Sequence, residues 1–197
     1  PAVGLTATPV NRDTTPVSAT VVAGFDGLTA LRGAWEELFR ARQHEPSASF
    51  EWTAAMARNH VRPGDRCFLI TLRARQAVVG MVPLVLRTHS VLGTPVRVLA
   101  PLSEDYNTHS DLLLRDTSEE TLKALLAAIV PLAPRWDLFR LARLVDEGPL
   151  ERSLKGVALS GGLWFQERPG LPAYLLDLPS SFDAYLVSRS AKFRNHL

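Results

Sequence analysis

The stretch from Arg66 to Thr88, RCFLITLRARQAVVGMVPLVLRT, constrains the fold most, because two apolar segments flank a short basic link. The segments Cys67–Leu72 and Ala77–Leu86 are rich in Val, Ile, Leu and Phe, which favour a pleated, half-buried strand. The link is too short for a helical crossover, so the segments are predicted to pair antiparallel as a hairpin. Pro83 lacks an amide hydrogen and predicts a strand end, a bulge or an edge. By itself, such a hairpin fits the core of many α/β or α+β domains.

Composition narrows the class of protein without naming a function. The 197 residues allow one ordinary domain or two small ones, and a hydrophobic fraction of 46% is enough for a packed core. A net charge of +2 is too small to indicate a nucleic-acid surface. Cys67 is the single cysteine, so no disulfide framework is expected, and we predict a buried thiol in a reducing, cytoplasmic compartment. No apolar run approaches the roughly 20 residues that span a bilayer, and no secretory signal opens the chain.

Hydrophobic periodicity divides the rest of the chain into helices and strands. Residues 1–18 show no period and predict a disordered arm. Further strands are predicted at Ala19–Ala23, Val96–Ala100, Leu112–Leu114, Trp136–Leu144, Leu163–Arg168 and Ala173–Leu178. Helices are predicted from Asp26 to about Gln43, from Ser47, from Thr117 with Glu120 as a capping box, from Pro149, and from Ser180 through the basic residues near position 197. This order predicts an α/β fold with a mixed, mostly antiparallel sheet flanked by helices.

The predicted helices and strands also carry candidate core residues. Three tryptophans, Trp35, Trp52 and Trp136, occupy apolar positions and are predicted to be buried in the core rather than to form ligand platforms.

One loop concentrates polar groups that could perform chemistry. It runs from Ser103 to Asp111, follows a predicted central strand, and carries Glu104, Asp105, Tyr106, Asn107, His109 and Asp111. Carboxylates beside a histidine and a phenol could deprotonate an amine or orient a sugar hydroxyl. The same composition also fits a solvated turn whose Asn and Asp side chains bond to their own backbone.

A second candidate is the basic end of the last predicted helix, with Arg189, Lys192 and Arg194. These side chains could contact an anion such as a coenzyme pyrophosphate, but they could equally complement the helix dipole. The sequence contains no zinc-ligand spacing, no nucleophile elbow, no phosphate loop and no dinucleotide-binding turn.

Several segments, taken in order, resemble one family. They are Trp35-Glu-Glu-Leu38, Ser49-Phe-Glu-Trp52, Val79-Gly-Met-Val-Pro-Leu84, Asp105-Tyr106, Trp136-Asp-Leu138, Leu176-Asp-Leu-Pro179, Ser-Phe-Asp-Ala-Tyr-Leu186 and Ser190-Ala-Lys-Phe-Arg194. The series resembles the CelD-like acetyltransferases of the GNAT superfamily, bacterial proteins linked to cellulose or exopolysaccharide biosynthesis. The layout is similar to that of the Fem aminoacyltransferases, which carry two GNAT-like halves.

The resemblance implies that residues 19–179 form an N-terminal GNAT-like domain. It also implies that residues 180–197 begin a linker helix toward a second half. The implied reaction moves an acetyl or acyl group from acyl-CoA, without a metal, to an amine or a saccharide hydroxyl. For that reaction we take Glu104, Asp105 and His109 as catalytic candidates, Tyr106, Asn107 and Asp111 as candidate substrate contacts, and Lys192 and Arg194 as candidate coenzyme contacts. Of these, Asp105 and Tyr106 match the family's loop pattern, and Lys192 and Arg194 match its linker helix. The glycine-bearing acyl-CoA loop of GNAT proteins does not occur in this sequence.

Two other functions stay open. The chain could be a non-catalytic GNAT-like module that binds a saccharide or a partner protein, and a homodimer is one such arrangement. Aminoacyl transfer from a charged RNA, as in the Fem proteins, would require a strongly basic channel, which the small net charge does not favour.

Overall fold

A computed structural model describes residues 16–41, 46–102, 112–170, 179–190 and 192. The strands are β1 (Val17–Ala23), β2 (Arg66–Ala74), β3 (Ala77–Val91), β4 (Thr94–Pro101), β5 (Leu113–Leu114) and β6 (Leu138–Phe139). The helices are α1 (Arg32–Ala41), α2 (Phe50–Asn59), α3 (Glu119–Ile129), α4 (Pro149–Ser160) and α5 (Phe182–Val187). Short 3₁₀ turns span Leu28–Leu31, Pro46–Ala48 and Val130–Arg135.

The described strands form a six-stranded sheet in the order β1-β2-β3-β4-β6, with β5 on β3. Every pairing is antiparallel except that of β4 with β6. The predicted mixed, mostly antiparallel α/β sheet flanked by helices is therefore confirmed. Strand β3 is the longest and pairs along one edge with β2, and along the other with β4 and then β5.

The predicted hairpin is confirmed as the pair β2 and β3. Its turn places Arg75 at a φ of 54°, and the register shifts between Leu72 and Arg73. Gly80 lies opposite Leu72 and beside Leu114, where a Cβ would come within 2.9 Å and 2.7 Å of their methyl carbons. A glycine at this position lets the two neighbouring leucines close over the strand.

One face of the sheet packs against α3 and α4 and forms the larger core. Its fully buried centre includes Ile70, Leu84, Leu99, Leu122 and Leu125. Along this face, alternate residues of the strands pack against residues of α3 that are spaced three and four apart. The predicted apolar faces of α3 and α4 are therefore confirmed.

The opposite face is covered in part by α1 and α2. Trp35 is 1% exposed, donates its indole N–H to the Ala48 carbonyl at 2.9 Å, and meets the ring of Phe50 edge-on at 6.2 Å between centroids. A buried tryptophan with its one donor satisfied stabilises the helix pair. The prediction that Trp35 belongs to the core is confirmed, and Trp136 is half-buried against the larger core.

The core position predicted for Trp52 is wrong, since 40% of this residue is exposed. The buried residues of α2 are Phe50, Thr53 and Met56, which follow one another at three-residue steps. Trp52 is not on that stripe. Its apolar character alone was therefore a poor guide to burial.

Two predicted helix caps are displaced by one residue. The side chain of Ser118, not that of Thr117, accepts a hydrogen bond from the Thr121 amide in the first turn of α3. Ser181, not Ser180, likewise accepts the amide of Ala184 in α5. Adjacent hydroxyl residues are both competent caps, and the exact point where the chain turns helical decides between them.

Asp26 is also not a cap, although the sequence predicted one. The first helical turn is a 3₁₀ turn that begins after Gly27, and no side chain caps it. The amide of Leu28 instead bonds to the Phe25 carbonyl at 2.9 Å. Because the backbone satisfies this donor, the Asp26 carboxylate has no capping role.

Predictions for the C-terminal third are partly wrong. The predicted strand Trp136–Leu144 is reduced to β6, and Leu163–Arg168 forms no strand. In that second segment Phe165 and Glu167 both face Lys155 of α4, through a ring contact of 6.0 Å and an ion pair of 2.7 Å. The alternating side chains therefore pack against a helix instead of a sheet. The arm predicted over residues 1–18 is too long, because Val17 and Ser18 pair with β2 as the start of β1. Residues 1–15 and the predicted segment Ala173–Leu178 lie outside the described residues.

The long basic helix predicted from Ser180 is interrupted. Helix α5 ends at Val187, and residues 188–190 are not helical. No described side chain of α5 is fully buried, so burial gives little support to a longer helix at this place.

Candidate functional site

The polar loop predicted to carry the chemistry lies outside the described residues. This applies to all six of its candidates, Glu104, Asp105, Tyr106, Asn107, His109 and Asp111, and to the coenzyme candidate Arg194. Lys192 is described and is exposed. The structure does describe the two segments that anchor this loop, one ending at Leu102 and the other beginning at Leu112.

The anchors lie on the same edge of β3. The amide of Leu102 donates to the Pro83 carbonyl at 3.0 Å, and Leu113 pairs with Met81. Strands β4 and β5 thus pair with successive parts of the same edge of β3. The polar loop connects these two strands and begins after Leu102, which is bonded to Pro83. Leu102 also packs against Met56 of α2, so the loop starts from the helix-covered face.

Pro83 explains why the ladder breaks at this point. Within a strand, the N–H and C=O of a residue point to the same side, and the side alternates along the chain. Since the Pro83 carbonyl accepts from Leu102, the missing amide also faces the polar loop. No bond to β2 is lost, which permits a proline inside a central strand. Of the three alternatives predicted for Pro83, the strand end is excluded, because β3 continues to Val91.

A second opening lies on the other edge of β4, where it parts from β6. The last ladder bond runs from the Arg140 amide to the Leu99 carbonyl at 2.9 Å. Alternation places Pro95, Arg97, Leu99 and Pro101 on this edge, so only the middle two carry an amide. The parallel pairing is therefore confined between two prolines, and the carbonyl of Pro101 faces the opening.

The other end of this parallel pair is held by a bidentate ion pair. The Arg97 guanidinium contacts both carboxylate oxygens of Asp137 at 2.8 Å and 3.1 Å, and the Arg97 amide donates to one of them at 2.8 Å. Hydrogen bonds from the side chain and the backbone of Arg97 hold the pKa of Asp137 at about 2. The carboxylate fixes the register of the short strand β6.

Two depressions lie on the sheet face beyond the C-terminal end of α2. The first is lined by Val85, Arg87, His89, Val98, Ala100, Pro101 and Arg140, and its room for water is only about 10 Å³. That is about one water molecule, too little for a substrate. Its lining is basic, with contributions from β3 and from the chain that follows β6.

The second depression is a cleft of about 560 Å³, within the size range of small-molecule sites. It is lined by Ala23, Gly24, Phe25, Asp26, Ala57, Val61, Asp65, Arg66, Cys67 and Phe68. Cys67 is half-buried in its wall rather than fully buried as predicted. Burial raises the pKa of the Cys67 thiol, the Asp65 carboxylate raises it further, and Arg87 opposes both. The thiol is thus poorly suited to act as a nucleophile near neutral pH.

An ion pair separates the two depressions. Asp65 lines the larger cleft and Arg87 the smaller depression, and the Arg87 Nε lies 3.0 Å from the Asp65 carboxylate. The pair is largely buried, with 14% of the arginine and 9% of the aspartate side chain exposed. Arg87 also donates to the His60 carbonyl at 2.8 Å, and the Arg62 amide donates to Asp65 at 3.0 Å. The pair therefore ties the end of α2 and the following turn to β3.

The helix that follows the polar loop begins in acidic surroundings. Asp116, Glu119 and Glu120 lie at the N-terminus of α3. Burial alone would raise the pKa of Asp116, but hydrogen bonds from Ser118 and Thr121 outweigh it and lower the pKa. A helix N-terminus attracts phosphate through its free amides, and three carboxylates here oppose that attraction.

Sequence reasoning missed the Asp65–Arg87 pair and the cleft beside it. A sign was available, because Arg87 shares the inward face of β3 with buried Val85 and therefore needed a partner. Among the described residues, no group of three or more His, Cys, Asp or Glu side chains is placed to bind a metal ion. No helix in the described ranges has the length and apolar character needed to cross a bilayer.

Comparison with known proteins gives a likeness in fold. The chain matches no protein-family model and no curated protein. A solved probable acetyltransferase is 16% identical with a TM-score of 0.44, the match covering 82% of this chain and 99% of the other. Two structures of the aminoglycoside acetyltransferase meta-AAC0020, from an uncultured soil metagenomic sample, are each 10% identical over 82% of this chain and 97% of theirs. They contain trehalose and sisomicin, with TM-scores of 0.43 and 0.45.

Proposed function

We propose that this chain is the N-terminal, GNAT-like half of an acyltransferase that moves an acetyl or other acyl group from acyl-CoA to an amine or sugar hydroxyl. Residues 19–179 would form the domain, residues 180–197 the start of a linker, and the setting would be a bacterial cytoplasm. The ordered motifs that resemble CelD-like proteins are the source of this proposal. The observation that supports it is the interruption of the sheet at Leu102, where Pro83 and Pro101 both lack the amide hydrogen that would continue a ladder and after which the polar loop begins.

The reaction needs a base, a nucleophile and a polarised thioester. Glu104, Asp105 or His109 would take the proton from the acceptor, whose nitrogen or oxygen then bonds to the acyl carbon. The carbon–sulfur bond breaks, and the coenzyme leaves as a thiol that carries the proton. Tyr106, Asn107 and Asp111 would orient the acceptor.

The thioester oxygen needs a hydrogen-bond donor where negative charge develops. Pro101 has no amide hydrogen, and the Leu102 amide is used by the Pro83 carbonyl. We therefore assign the donor to the backbone of residues 103–111. The Pro101 carbonyl could accept from an amide of the extended coenzyme arm, as a strand edge accepts from an added strand. Lys192 and Arg194 would meet the pyrophosphate.

The test combines binding with turnover. Isothermal calorimetry with acetyl-CoA is expected to show saturable binding, and release of the coenzyme thiol should depend on glucosamine or another amine or sugar acceptor. Asp105→Asn with His109→Ala should lower turnover by about 100- to 10,000-fold, the usual contribution of a general base. The control is Asp146→Asn, an exposed carboxylate in another turn. Unchanged turnover from pH 6 to 9 in the double variant would remove the polar loop from the mechanism.

The acidic start of α3 bears on a second candidate function. Asp116, Glu119 and Glu120 make the N-terminus of α3 a poor site for a pyrophosphate, so acyl transfer would depend on Lys192 and Arg194 to hold the coenzyme. A non-catalytic module that binds a saccharide or a partner protein would tolerate these carboxylates. Saccharide binding measured by calorimetry, with no binding of acetyl-CoA and no turnover, would select this function over acyl transfer.

A further inference from the structure

Strand β1 presents an open edge. It is the first strand of the sheet, and among the described residues it pairs only with β2. Its sequence, VSATVVA, contains no charge and no proline, and every residue after Val17 is exposed. Val21 and Val22 are 37% and 51% exposed. Proteins usually protect such an edge with charges, prolines, bulges or a covering segment, so an unprotected edge is a site for pairing with another strand.

The hydrogen-bonding groups of this edge can be assigned residue by residue. The Gly24 amide donates to the Cys67 carbonyl at 2.8 Å, so the even-numbered positions of this segment face β2. By alternation, the amides and carbonyls of Val17, Ala19, Val21 and Ala23 face outward. The open edge therefore offers regularly spaced donors and acceptors over its whole length.

We propose that a second copy of the chain pairs antiparallel with β1 across a two-fold axis at Thr20. In this register Val17 meets Ala23 of the second copy, and Ala19 meets its Val21. All outward groups are then paired, giving about eight inter-chain hydrogen bonds, two for each hydrogen-bonded pair. The two sheets become one, and both open edges are removed.

A second copy is the occupant that the chemistry of the edge favours. Because the segment is uncharged, two identical strands oppose no like charges. The residues that meet are small or β-branched: Thr20 faces its own copy, and Ser18 faces Val22. A two-fold contact uses the same patch on both partners and closes, so pairing stops at the dimer. The inference is independent of acyl transfer.

The first experiment tests the register with a disulfide. Thr20 would lie in a non-hydrogen-bonded pair, where the Cα atoms are about 4.5 Å apart and within reach of a disulfide. In a Cys67→Ser background, Thr20→Cys is expected to give a disulfide-linked dimer under mild oxidation. Thr29→Cys, equally exposed in a 3₁₀ turn, is the control and should stay monomeric. Equal cross-linking of both variants, or none at Thr20→Cys, would overturn the register.

The second experiment tests the edge itself. Ala19→Pro removes an outward amide and no bond to β2, so the monomer should keep its fold and melting temperature while the apparent dimer Kd rises at least about 10-fold. Light scattering after size exclusion, from low to high micromolar concentration, measures this change. A wild-type chain that stays monomeric throughout would refute the dimer and would point to residues 1–15 or another protein as the occupant.

Discussion

The ion pair between Asp65 and Arg87 should be among the most sensitive features of the fold to a single substitution. Replacing Asp65 with Asn keeps an oxygen for the Arg62 amide but leaves the Arg87 charge without its carboxylate. Removing one partner of a fully buried pair costs about 3–5 kcal/mol, whereas an exposed pair contributes about 0–1 kcal/mol. With 14% and 9% of the side chains exposed, we expect a loss of about 2–3 kcal/mol.

A double-mutant cycle separates the interaction from the general effects of substitution. Arg87→Met removes the charge and the bond to the His60 carbonyl, and we expect a loss of similar size. When both substitutions are combined, neither charge is left buried alone. The combined loss should therefore fall short of the sum by about 1.5 kcal/mol or more. Urea unfolding, followed by circular dichroism and by tryptophan fluorescence, measures each free energy and checks two-state behaviour.

The chain contains its own control for this cycle. Arg97 and Asp137 form a comparable ion pair, but 43% and 41% of their side chains are exposed. Screening by water predicts a coupling well below that of the buried pair. Additive losses for Asp65→Asn and Arg87→Met, or equal coupling in both pairs, would refute the reasoning from burial.

Three further perturbations test other parts of the structure. The pKa of Asp137 is held at about 2, below the ordinary 3.8, so its ion pair stabilises the fold fully above the ordinary pKa. This stabilisation is lost as the pH falls toward 2. Asp137→Asn should therefore weaken the pH dependence of the melting temperature over that range. Gly80→Ala should lower the free energy of unfolding in urea by about 1–3 kcal/mol, because the new methyl group meets buried leucines. Gly33→Ala is the control: it lies in α1 with nothing within 4 Å of its Cβ and should raise the free energy of unfolding by about 0.5–1 kcal/mol. Ser118→Ala should cost about 1 kcal/mol and Thr117→Ala close to nothing, since only the serine caps α3; the reverse order would restore the cap predicted from sequence.

The parts of the fold that sequence predicted correctly are those decided by local patterns. The β2–β3 hairpin follows from two apolar segments with a short link, and the faces of α3 and α4 follow from helical spacing. The parallel pairing of β4 with β6 could not be assigned in this way. The partners are about forty residues apart along the chain, and β6 is only two residues long.

The wrong predictions share a physical origin. Alternating residues in Leu163–Arg168 favour a strand, but Phe165 and Glu167 use that alternation to contact Lys155. Trp52 has the character of a core residue, yet it lies off the buried stripe of α2 and 40% of it is exposed. In each case the local pattern was real, and tertiary contacts decided how it was used.

The candidate site, like the fold, could be predicted from the sequence only where local patterns decide it. Its chemical groups were proposed from a polar loop that lies outside the described residues, so those roles stay predictions. Its surroundings, including the cleft of about 560 Å³ and the ion pair beside it, depend on residues brought together from four separate segments. A single sequence identifies such groups only through an unusual residue, such as Arg87 on an apolar strand face.

Prolines link the sequence to the place of the site more directly than any catalytic motif does. The missing amide of Pro83 lies on the edge of β3 that bonds to Leu102. Those of Pro95 and Pro101 lie on the β6 side of β4, beyond the two ends of that pairing. Pro83 removes no bond from the pairing of β2 with β3, and Pro95 and Pro101 remove none from the pairing of β3 with β4, because alternation turns each toward the other edge of its strand. The sheet can therefore be continuous through its centre and interrupted on either side of β4. The polar loop follows Leu102, the point at which the bonding along both edges of β4 stops, and the proposed acyl transfer depends on that position.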